Sequence, residues 1–378
     1  MTTPSLSPLT SGWCDGGTVV NRIEALEASL MRVPLGAARG GSGATEVQVV
    51  LVAVTDDAGH HGTGFTYALT GGGEALLAMV QTMGREVVCG AQVSDWPSCH
   101  KRMWDRSHRL GRGVAVPALS AIDIAVWDLR AVAAQVPLHR LLGVQRDAVP
   151  AYGSGRATNL MTVEELVGGA RAYLDEGYRA VKLRAGTRAL PEELARVKAV
   201  REAVGDDVTI MVDVNERLDF PSALWLGREL ADLGVLWLEE PLVADDVAGH
   251  AELARRLPIA IAAGEHLQGR FEFSQYLRCG AAAVLQPDAP LVGGVTEWMR
   301  VAILAEALGA TVSPHFLPEL HVHLCLAAPA CNYIEHFPLL DDLFLETLAI
   351  SDGVARAPER PGHGILWDPE ALERFAVA

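Results

Sequence analysis

Three carboxylates in the 378-residue chain each end a short apolar run, and equal steps of 26 residues separate Asp213, Glu239 and Glu265. If these runs are neighbouring parallel strands, the three side chains meet at one rim and repel each other unless a cation lies between them. All-oxygen ligation with room for substrate and water suits Mg²⁺, with Mn²⁺ as a possible substitute. The alternative is three independent surface acids, but their shared position favours a metal site.

Two cations stand on the preceding apolar run, AVKLR, at Lys182 and Arg184. The period of two in a strand points both side chains to the same side. The formal net charge of −16 repels anions, so an anionic substrate needs a locally positive pocket of this kind. The alternative is a basic strand end that faces solvent.

An acid/base pair is predicted on the next runs along the chain, at Asp288 and His315. Neighbouring strands lie about 4.8 Å apart, so Asp288 is expected to orient His315 and raise its pKa. The pair is a candidate general acid/base. Glu335, on the last run, is a candidate for a hydrogen bond at the developing enolate. His321 and His323 are interpreted as structural histidines.

Eight short apolar runs alternate with amphipathic helical segments from Val149 onward, which is typical of a parallel barrel. The runs are 149–155, 180–184, 209–215, 235–241, 259–265, 283–288, 310–315 and 332–336. An open doubly wound sheet shows the same alternation but places its ligand at one switch point. Here nearly every run ends in a polar or charged residue, which favours the closed barrel.

The first third of the chain reads as a small α+β unit. Strands are predicted within 18–33, within 45–55 and near 62–67, and a Gly-rich loop, 35–43, separates the first two. Helices are predicted over 73–88, 95–109 and 117–142, the last with capping-box-like spacing at Ser120 and Asp123 and a stop at Gly143.

The expected fold class is therefore α/β, with a (β/α)7β TIM-like barrel as the catalytic domain over 146–345. An N-terminal α+β capping domain is expected over 1–145, completed by a C-terminal segment over 346–378. Specificity should reside in the cap, where the Gly-rich loop carries Arg39 and is expected to close over the barrel mouth. The alternative for this loop is a plain hairpin connection.

Composition excludes several classes of function. With 50% apolar and 21% charged residues the chain has ample core material, and its acidic balance argues against nucleic-acid binding. No apolar stretch is long enough to span a membrane, and the first residues lack the pattern of a signal peptide. The six cysteines form no CxxC pair, so reduced thiols are expected. These features predict a cytoplasmic protein.

The motifs resemble those of the mandelate racemase group, within the mandelate racemase/muconate lactonizing enzyme family of the enolase superfamily. They are, in order, SAIDIAVWDL, KLR, DVN, EEP, GE, QPD, SPH and IEH, and they extend over nearly the whole chain. The stretches SPHFLPELHVHLCLAAP, IEHFPLLDDLF and GTGFTY are similar to acid-sugar dehydratases of the galactarate/talarate type.

The resemblance implies a reaction and a set of roles. Mg²⁺ on the three carboxylates holds the substrate carboxylate, a base removes the α-proton, and nearby positive charge stabilises the enediolate. By resemblance, Asp288 and His315 are the acid/base pair, Glu335 and Lys182 act on the substrate carboxylate and its charge, and Asn215 lies beside the metal. Arg184 is added to the candidate catalytic residues. The other candidate substrate contacts are Arg39, Tyr67 and His266. The implied partner is a small carboxylate, an acid sugar, and the implied assembly is a homo-oligomer.

One position departs from the family pattern, because Arg184 stands where a second lysine is typical. Arginine stays protonated and is a poor base, which leaves His315 as the obvious base and Lys182 as a possible second one. Elimination of water needs one base and one acid, so the sequence favours dehydration of an aldonate or aldarate to a 2-keto-3-deoxy acid. The alternatives are a racemase, an epimerase or a lactone cycloisomerase of the same family, and a non-catalytic sugar-acid or metal-binding protein.

Overall fold

The computed structural model describes residues 21–39, 43–69 and 71–377. Its strands are β1 Ile23–Arg39, β2 Ala44–Asp56, β3 His61–Ala68, β4 Val149–Gly153, β5 Ala180–Arg184, β6 Thr209–Asp213, β7 Val235–Glu239, β8 Ala260–Ala263, β9 Val284–Leu285, β10 Thr311–Val312, β11 Ile334–His336, β12 Ile350–Ser351 and β13 Val354–Ala355. Its α-helices are α1 Gly73–Met83, α2 Trp96–Arg109, α3 Ala115–Ala133, α4 Leu138–Leu142, α5 Val163–Asp175, α6 Leu190–Val204, α7 Phe220–Asp232, α8 Val247–Arg256, α9 Gly269–Cys279, α10 Ala289–Val292, α11 Gly294–Ala307, α12 Pro318–Ala327 and α13 Pro369–Phe375.

The N-terminal sheet is antiparallel in the order β1-β2-β3. The sequence interpretation was wrong about where β1 ends, because Leu35 was placed in a loop and the strand continues to Arg39. β-Branched and apolar residues on β2 keep pairing with β1 as far as the Pro34↔Glu46 pair, and one further pair joins Arg39 to Ala44. The tip of the predicted loop, residues 40–42, lies outside the described residues.

The capping-box interpretation of Ser120 and Asp123 was also wrong, because both residues are buried inside α3. The Ser120 hydroxyl donates to the Val116 carbonyl at 3.0 Å, and the Asp123 carboxylate accepts from the Trp96 indole at 2.8 Å. A polar residue can occupy a buried helix face when another element supplies its hydrogen bond. The chain leaves this helix after Ala133, and the short helix α4 then ends at Gly143, where φ is 97°.

Strands β4 to β10 are parallel and lie side by side in chain order, and β11 pairs with β4. The Asn332 N–H donates to the Val312 carbonyl at 3.0 Å, which joins β10 to the residues just before β11. The sheet is therefore closed into a barrel, with helices between successive strands, as the eight apolar runs predicted.

Alternation along the strands sorts the barrel interior into layers. One set of inward side chains is apolar: Tyr152, Ala180, Met211, Trp237, Ala262 and Val284. Two residues further along β5, β6 and β7 the same face carries Lys182, Asp213 and Glu239. Because side chains two apart share a face, the apolar layer lies below and the charged layer lies at the C-terminal rim.

The cap docks on the barrel through β3 and α3. Within the cap, β3 packs closely against α3. A Cβ atom on Gly62 would lie 2.3 Å from the Ala125 carbonyl oxygen, and one on Gly64 would lie 2.2 Å from that of Ala121, so only glycine permits this contact between strand and helix. The close packing leaves β3 beside the barrel, where the Thr66 hydroxyl donates to the Pro290 carbonyl at 2.9 Å.

The C-terminal residues return to the N-terminal sheet. The Val377 N–H donates to the Leu30 carbonyl on β1 at 2.8 Å. Strand β13 pairs antiparallel with barrel strand β4, so this segment contacts both parts of the chain. The domain bounds given above stay a prediction.

None of the helices in the described ranges is both long enough and apolar enough to cross a bilayer. The five cysteines within those ranges are Cys89, Cys99, Cys279, Cys325 and Cys331, and all are free thiols.

Candidate active site at the barrel mouth

Three carboxylates converge at the C-terminal rim of the barrel. Asp213 and Glu239 are the last residues of β6 and β7, and Glu265 comes two residues after β8 ends. One oxygen of each lies within 4.8 Å of the others. The Asp213 and Glu239 side chains are fully buried and that of Glu265 is 11% exposed, so the cluster has one side open towards solvent.

Lys182 lies at the base of this cluster. Its ammonium nitrogen is 2.6 Å from a Glu239 oxygen, 2.9 Å from a Glu335 oxygen and 3.7 Å from an Asp213 oxygen. Burial lowers the pKa of Lys182, but the Glu239 and Glu335 carboxylates outweigh burial and raise it well above its ordinary value. The side chain is therefore a fixed cation in this geometry.

Arg184 lies one layer nearer the rim. Its guanidinium is 2.8 Å from an Asp213 oxygen, and it also donates to the Asn215 side-chain oxygen. The Asn215 N–H donates to the other Asp213 oxygen at 2.8 Å. Arg184 and Asn215 thus hold the Asp213 carboxylate in one orientation.

The negative charge of the three-carboxylate cluster is not fully neutralised by Lys182 and Arg184. Burial raises the pKa of Glu239 to about 8, although Lys182 acts in the opposite direction. Burial and then the Asp213 carboxylate raise the pKa of Glu265. Among the described residues, no hydrogen bond reaches Glu265 Oε2. An all-oxygen set with an unpartnered buried oxygen fits a hard divalent cation such as Mg²⁺.

Asp288 and His315 form a hydrogen-bonded pair. Asp288 lies three residues past the end of β9, and His315 lies three residues past the end of β10. The sequence predicted both at the strand ends themselves. The His315 Nδ1 atom is 2.9 Å from Asp288 Oδ2, and its Nε2 atom is 3.4 Å from Glu265 Oε2. Nε2 makes no hydrogen bond within the part of the chain that the structure describes, so this nitrogen faces the carboxylate cluster.

Tyr67 reaches this pair from strand β3 of the cap. Its hydroxyl donates to Asp288 Oδ2 at 2.6 Å and lies 3.5 Å from His315 Nδ1. The ring is only 4% exposed. The structure thus places Tyr67 on the aspartate, whereas the sequence assigned it to the substrate; that assignment stays a prediction.

The expected rise in the pKa of His315 is contradicted. Burial lowers the pKa of His315 well below its ordinary value, and Lys182 and Arg184 lower it further. Burial also raises the pKa of Asp288 well above the ordinary value, with the Tyr67 hydrogen bond opposing it. A neighbouring carboxylate by itself raises the pKa of a histidine, but desolvation of the whole pair outweighs that effect here.

Glu335 on β11 contacts both Lys182 and the backbone of the residue that follows His315. One oxygen pairs with Lys182, and the other accepts from the Phe316 N–H at 3.0 Å. Phe316 has a left-handed backbone, with φ 50°, so the residue after His315 is turned towards Glu335.

The two flanking histidines have internal partners, as expected of structural residues. His321 accepts from the Ala289 N–H at 2.9 Å and contacts the Phe316 carbonyl at 2.7 Å. His323 contacts the His363 carbonyl at 2.8 Å.

The remaining predicted substrate contacts lie at the edge of the site or beyond the described side chains. The His266 ring is 54% exposed, and its Nε2 atom is 3.6 Å from a Glu265 oxygen. The side chain of Arg39 is outside the described part, so its role stays a prediction. The sequence reasoning missed Trp237, whose indole donates to Glu239 Oε2 at 2.9 Å. Its position two residues before Glu239 on one strand was the available signal.

Two family profiles match the chain. Residues 165–371 match the enolase C-terminal domain-like family, and residues 22–143 match the mandelate racemase/muconate lactonizing enzyme N-terminal domain. The chain is therefore a member of the enolase superfamily. Within it, the chain belongs to the mandelate racemase/muconate lactonizing enzyme family.

Among curated relatives, a 3,6-anhydro-alpha-L-galactonate cycloisomerase from Streptomyces coelicolor is 36% identical, over 94% of this chain and 99% of its own length. An L-talarate/galactarate dehydratase from Salmonella typhimurium is 34% identical, over 86% of this chain and 82% of its own length. Among solved structures, an L-talarate dehydratase from a Polaromonas species, complexed with Mg and L-glucarate, has a TM-score of 0.88 at 34% identity, over 95% of this chain and 98% of that chain. Relatives of this chain thus include both lyases and isomerases, and magnesium is bound in a solved one.

Proposed function

We propose that this protein catalyses the Mg²⁺-dependent dehydration of an acid sugar, an aldonate or aldarate, to a 2-keto-3-deoxy acid. The observation that carries the proposal is the His315–Asp288 pair, a histidine with one nitrogen held by a carboxylate and the other directed at the carboxylate cluster. Elimination needs one group that first accepts and then returns a proton, and a histidine held in this way is suited to both steps.

Asp213, Glu239 and Glu265 would hold Mg²⁺. When bound, the ion supplies positive charge for the substrate carboxylate and for the negative charge that develops when the α-proton leaves. Lys182 adds a fixed positive charge beside Glu239 and Glu335. Lys182 stands on β5, which lies across the barrel from β9, the strand that precedes Asp288. Its ammonium group is held protonated. It is therefore suited to stabilising negative charge rather than to acting as a second base.

The proton path runs through His315 alone. Nε2 accepts the α-proton while Nδ1–H donates to Asp288, which stabilises the imidazolium that forms. The pair of electrons from the α-carbon–hydrogen bond forms the double bond, the bond from the β-carbon to its hydroxyl oxygen breaks, and the imidazolium gives its proton to the leaving oxygen. Water departs, and the enol that remains becomes the 2-keto-3-deoxy acid by moving one proton from oxygen to carbon.

A lactone or anhydro-sugar cycloisomerase is the second candidate, and the Streptomyces coelicolor relative, matched over nearly its full length, favours it. The same base serves an elimination in which the leaving oxygen belongs to a ring and stays attached to the product. Dehydration loses one water, whereas cycloisomerisation conserves the mass.

The experiment is incubation of the purified protein and Mg²⁺ with a panel of mono- and diacid sugars, their lactones and their anhydro forms. Products are followed by NMR and mass spectrometry. Formation of a keto acid with loss of one water supports dehydration, and a product of unchanged mass identifies the cycloisomerase. No turnover and no solvent deuterium in any recovered substrate would contradict both and favour a non-catalytic binding protein.

Two finer proposals concern the protein in the cell. We propose a cytoplasmic homo-oligomer, supported by the acidic composition and the absence of a CxxC pair. Cell fractionation tests the compartment, and light scattering of the purified protein tests the assembly.

A further inference from the structure

A second group of possible metal ligands lies beside the three-carboxylate cluster and shares no residue with it. Glu216 follows β6, Glu240 follows β7 and His266 follows β8, and one ligand atom of each lies within 4.8 Å of the others. All three come from loops at the C-terminal rim of adjacent strands. The proton path proposed above uses none of them, although His266 is also a predicted substrate contact.

The distances within this group are too long for hydrogen bonds and fit ligands of one ion. The His266 Nε2 atom is 3.7 Å from Glu240 Oε2 and 4.0 Å from Glu216 Oε2. Two ligand atoms that are each about 2.1 Å from one metal ion lie roughly 3.0 to 4.2 Å apart, depending on their angle at the metal. The gap between the imidazole and the two carboxylates is therefore large enough for an ion.

Glu240 gives an independent indication of a ligand. Its side chain is only 3% exposed, and Oε2, the oxygen that faces His266, has no hydrogen-bond partner among the described residues. A buried carboxylate oxygen without a partner is costly, and coordination to a cation removes that cost.

The backbone holds the two glutamates in place. Glu216 and Glu240 have left-handed φ angles of 59° and 45°, and the Glu216 N–H donates to the Glu240 carbonyl at 2.8 Å. One Glu216 oxygen accepts from the Ala244 N–H, which leaves Oε2 directed at His266. The imidazole is 54% exposed, so an ion can enter from solvent.

We propose that Glu216, Glu240 and His266 bind a second divalent cation, separate from the ion on the three carboxylates. An imidazole with two carboxylates favours a metal that accepts both nitrogen and oxygen, such as Zn²⁺ or Mn²⁺, over Mg²⁺. The ion would join the loops after β6, β7 and β8 at the rim. The proposal goes beyond the dehydration and does not depend on it.

Anomalous diffraction from crystals of the Mg²⁺-loaded protein soaked in Zn²⁺ locates the ion directly. We expect a zinc peak between His266, Glu240 and Glu216. The peak should be absent in crystals of His266→Gln and present in those of His108→Gln, which changes an exposed histidine on α2. A wild-type protein with zinc only at Asp213, Glu239 and Glu265, or with none, would overturn the proposal.

Zinc titration of the metal-free protein provides the second measurement. Zinc also binds oxygen sites, so we expect two ions per chain in the wild type and in His108→Gln. In His266→Gln the second ion should bind at least about tenfold more weakly. A single ion in the wild type, or an unchanged second affinity in His266→Gln, would contradict the proposal. Because His266 is half exposed, circular dichroism should show that the variant folds.

Discussion

The two halves of the barrel mouth are built differently. In the half formed by β5 to β8, Lys182, Asp213 and Glu239 stand on the strands themselves. Glu265 lies two residues past the end of β8. In the half formed by β9 and β10, Asp288 and His315 lie three residues past the strand ends, and Asp288 also accepts a hydrogen bond from Tyr67 of the cap. The barrel alone therefore fixes the carboxylate cluster, whereas the acid/base pair also depends on how the cap docks.

The largest effect on activity should come from Glu239→Gln, which removes one carboxylate from the predicted metal site. A bound metal contributes several kcal/mol to the transition state, so kcat/KM should fall by about a thousandfold or more. Calorimetric titration should show the matching loss of Mg²⁺ affinity. Full activity with wild-type Mg²⁺ affinity would remove Glu239 from the metal site.

Although Glu239→Gln should lower activity, it should make the metal-free protein more stable than the wild type at pH 8. The pKa of Glu239 is about 8 in the folded protein and 4.5 ordinarily, so the unfolded chain loses this proton first as pH rises. The wild type should therefore lose stability between pH 4.5 and 8, by up to about 1.4 kcal/mol per pH unit. In EDTA at pH 8, Glu239→Gln should melt at a higher temperature than the wild type, and at pH 4.5 this advantage should disappear.

Tyr67→Phe tests the half that depends on the cap. Removal of the hydroxyl from Asp288 should lower kcat by about ten- to a hundredfold and leave KM unchanged, because the hydroxyl contacts the aspartate. Thr66→Val is the matched control, since it removes a hydrogen bond between the cap and the barrel without touching Asp288. A raised KM with unchanged kcat would return Tyr67 to the role of a substrate contact.

Arg184→Lys should have a smaller effect. Lysine keeps a positive charge beside Asp213 but loses the hydrogen bond to Asn215, so kcat/KM should fall by about tenfold. Arg184→Met, which removes the charge, should lose considerably more in the same assay. Equal activity of the Met variant and the wild type would show that the cation is not needed.

The smallest effect on activity should come from His323→Gln, because this histidine lies outside the acid/base pair. Burial, and then His139, lowers the pKa of His323 to about 3, so the unfolded state binds a proton first as pH falls below 6.5. Stability should therefore fall with decreasing pH, by up to about 1.4 kcal/mol per unit for this residue. Urea unfolding at pH 7, 6, 5 and 4 should show a shallower slope for the variant, with kcat within about twofold. An unchanged slope would contradict this.

The contrast between the halves also explains what the sequence could predict. The eight apolar runs contain β4 to β11, and the carboxylates follow from the ends of successive strands that meet at one rim. Desolvation was the missing quantity at His315, because its pKa depends on every group that excludes water, and local spacing describes only neighbours.

The contact of Tyr67 with Asp288 joins residues 221 positions apart. It depends on the close packing of Gly62 and Gly64 against α3, and no local pattern encodes that distance. For the same reason Ser120 and Asp123 gave a misleading capping signal. Each side chain accepts a hydrogen bond from outside α3: Ser120 from the Gly293 N–H and Asp123 from the Thr296 N–H.

Exchange of the substrate α-proton with D₂O tests the central claim most directly, with an acid sugar that the wild type converts in the presence of Mg²⁺. His315→Asn should lower the exchange rate by about a hundredfold to ten-thousandfold, because His315 is the proposed base. His323→Gln should exchange at the wild-type rate. Wild-type exchange in His315→Asn would contradict the account and assign the base to another residue.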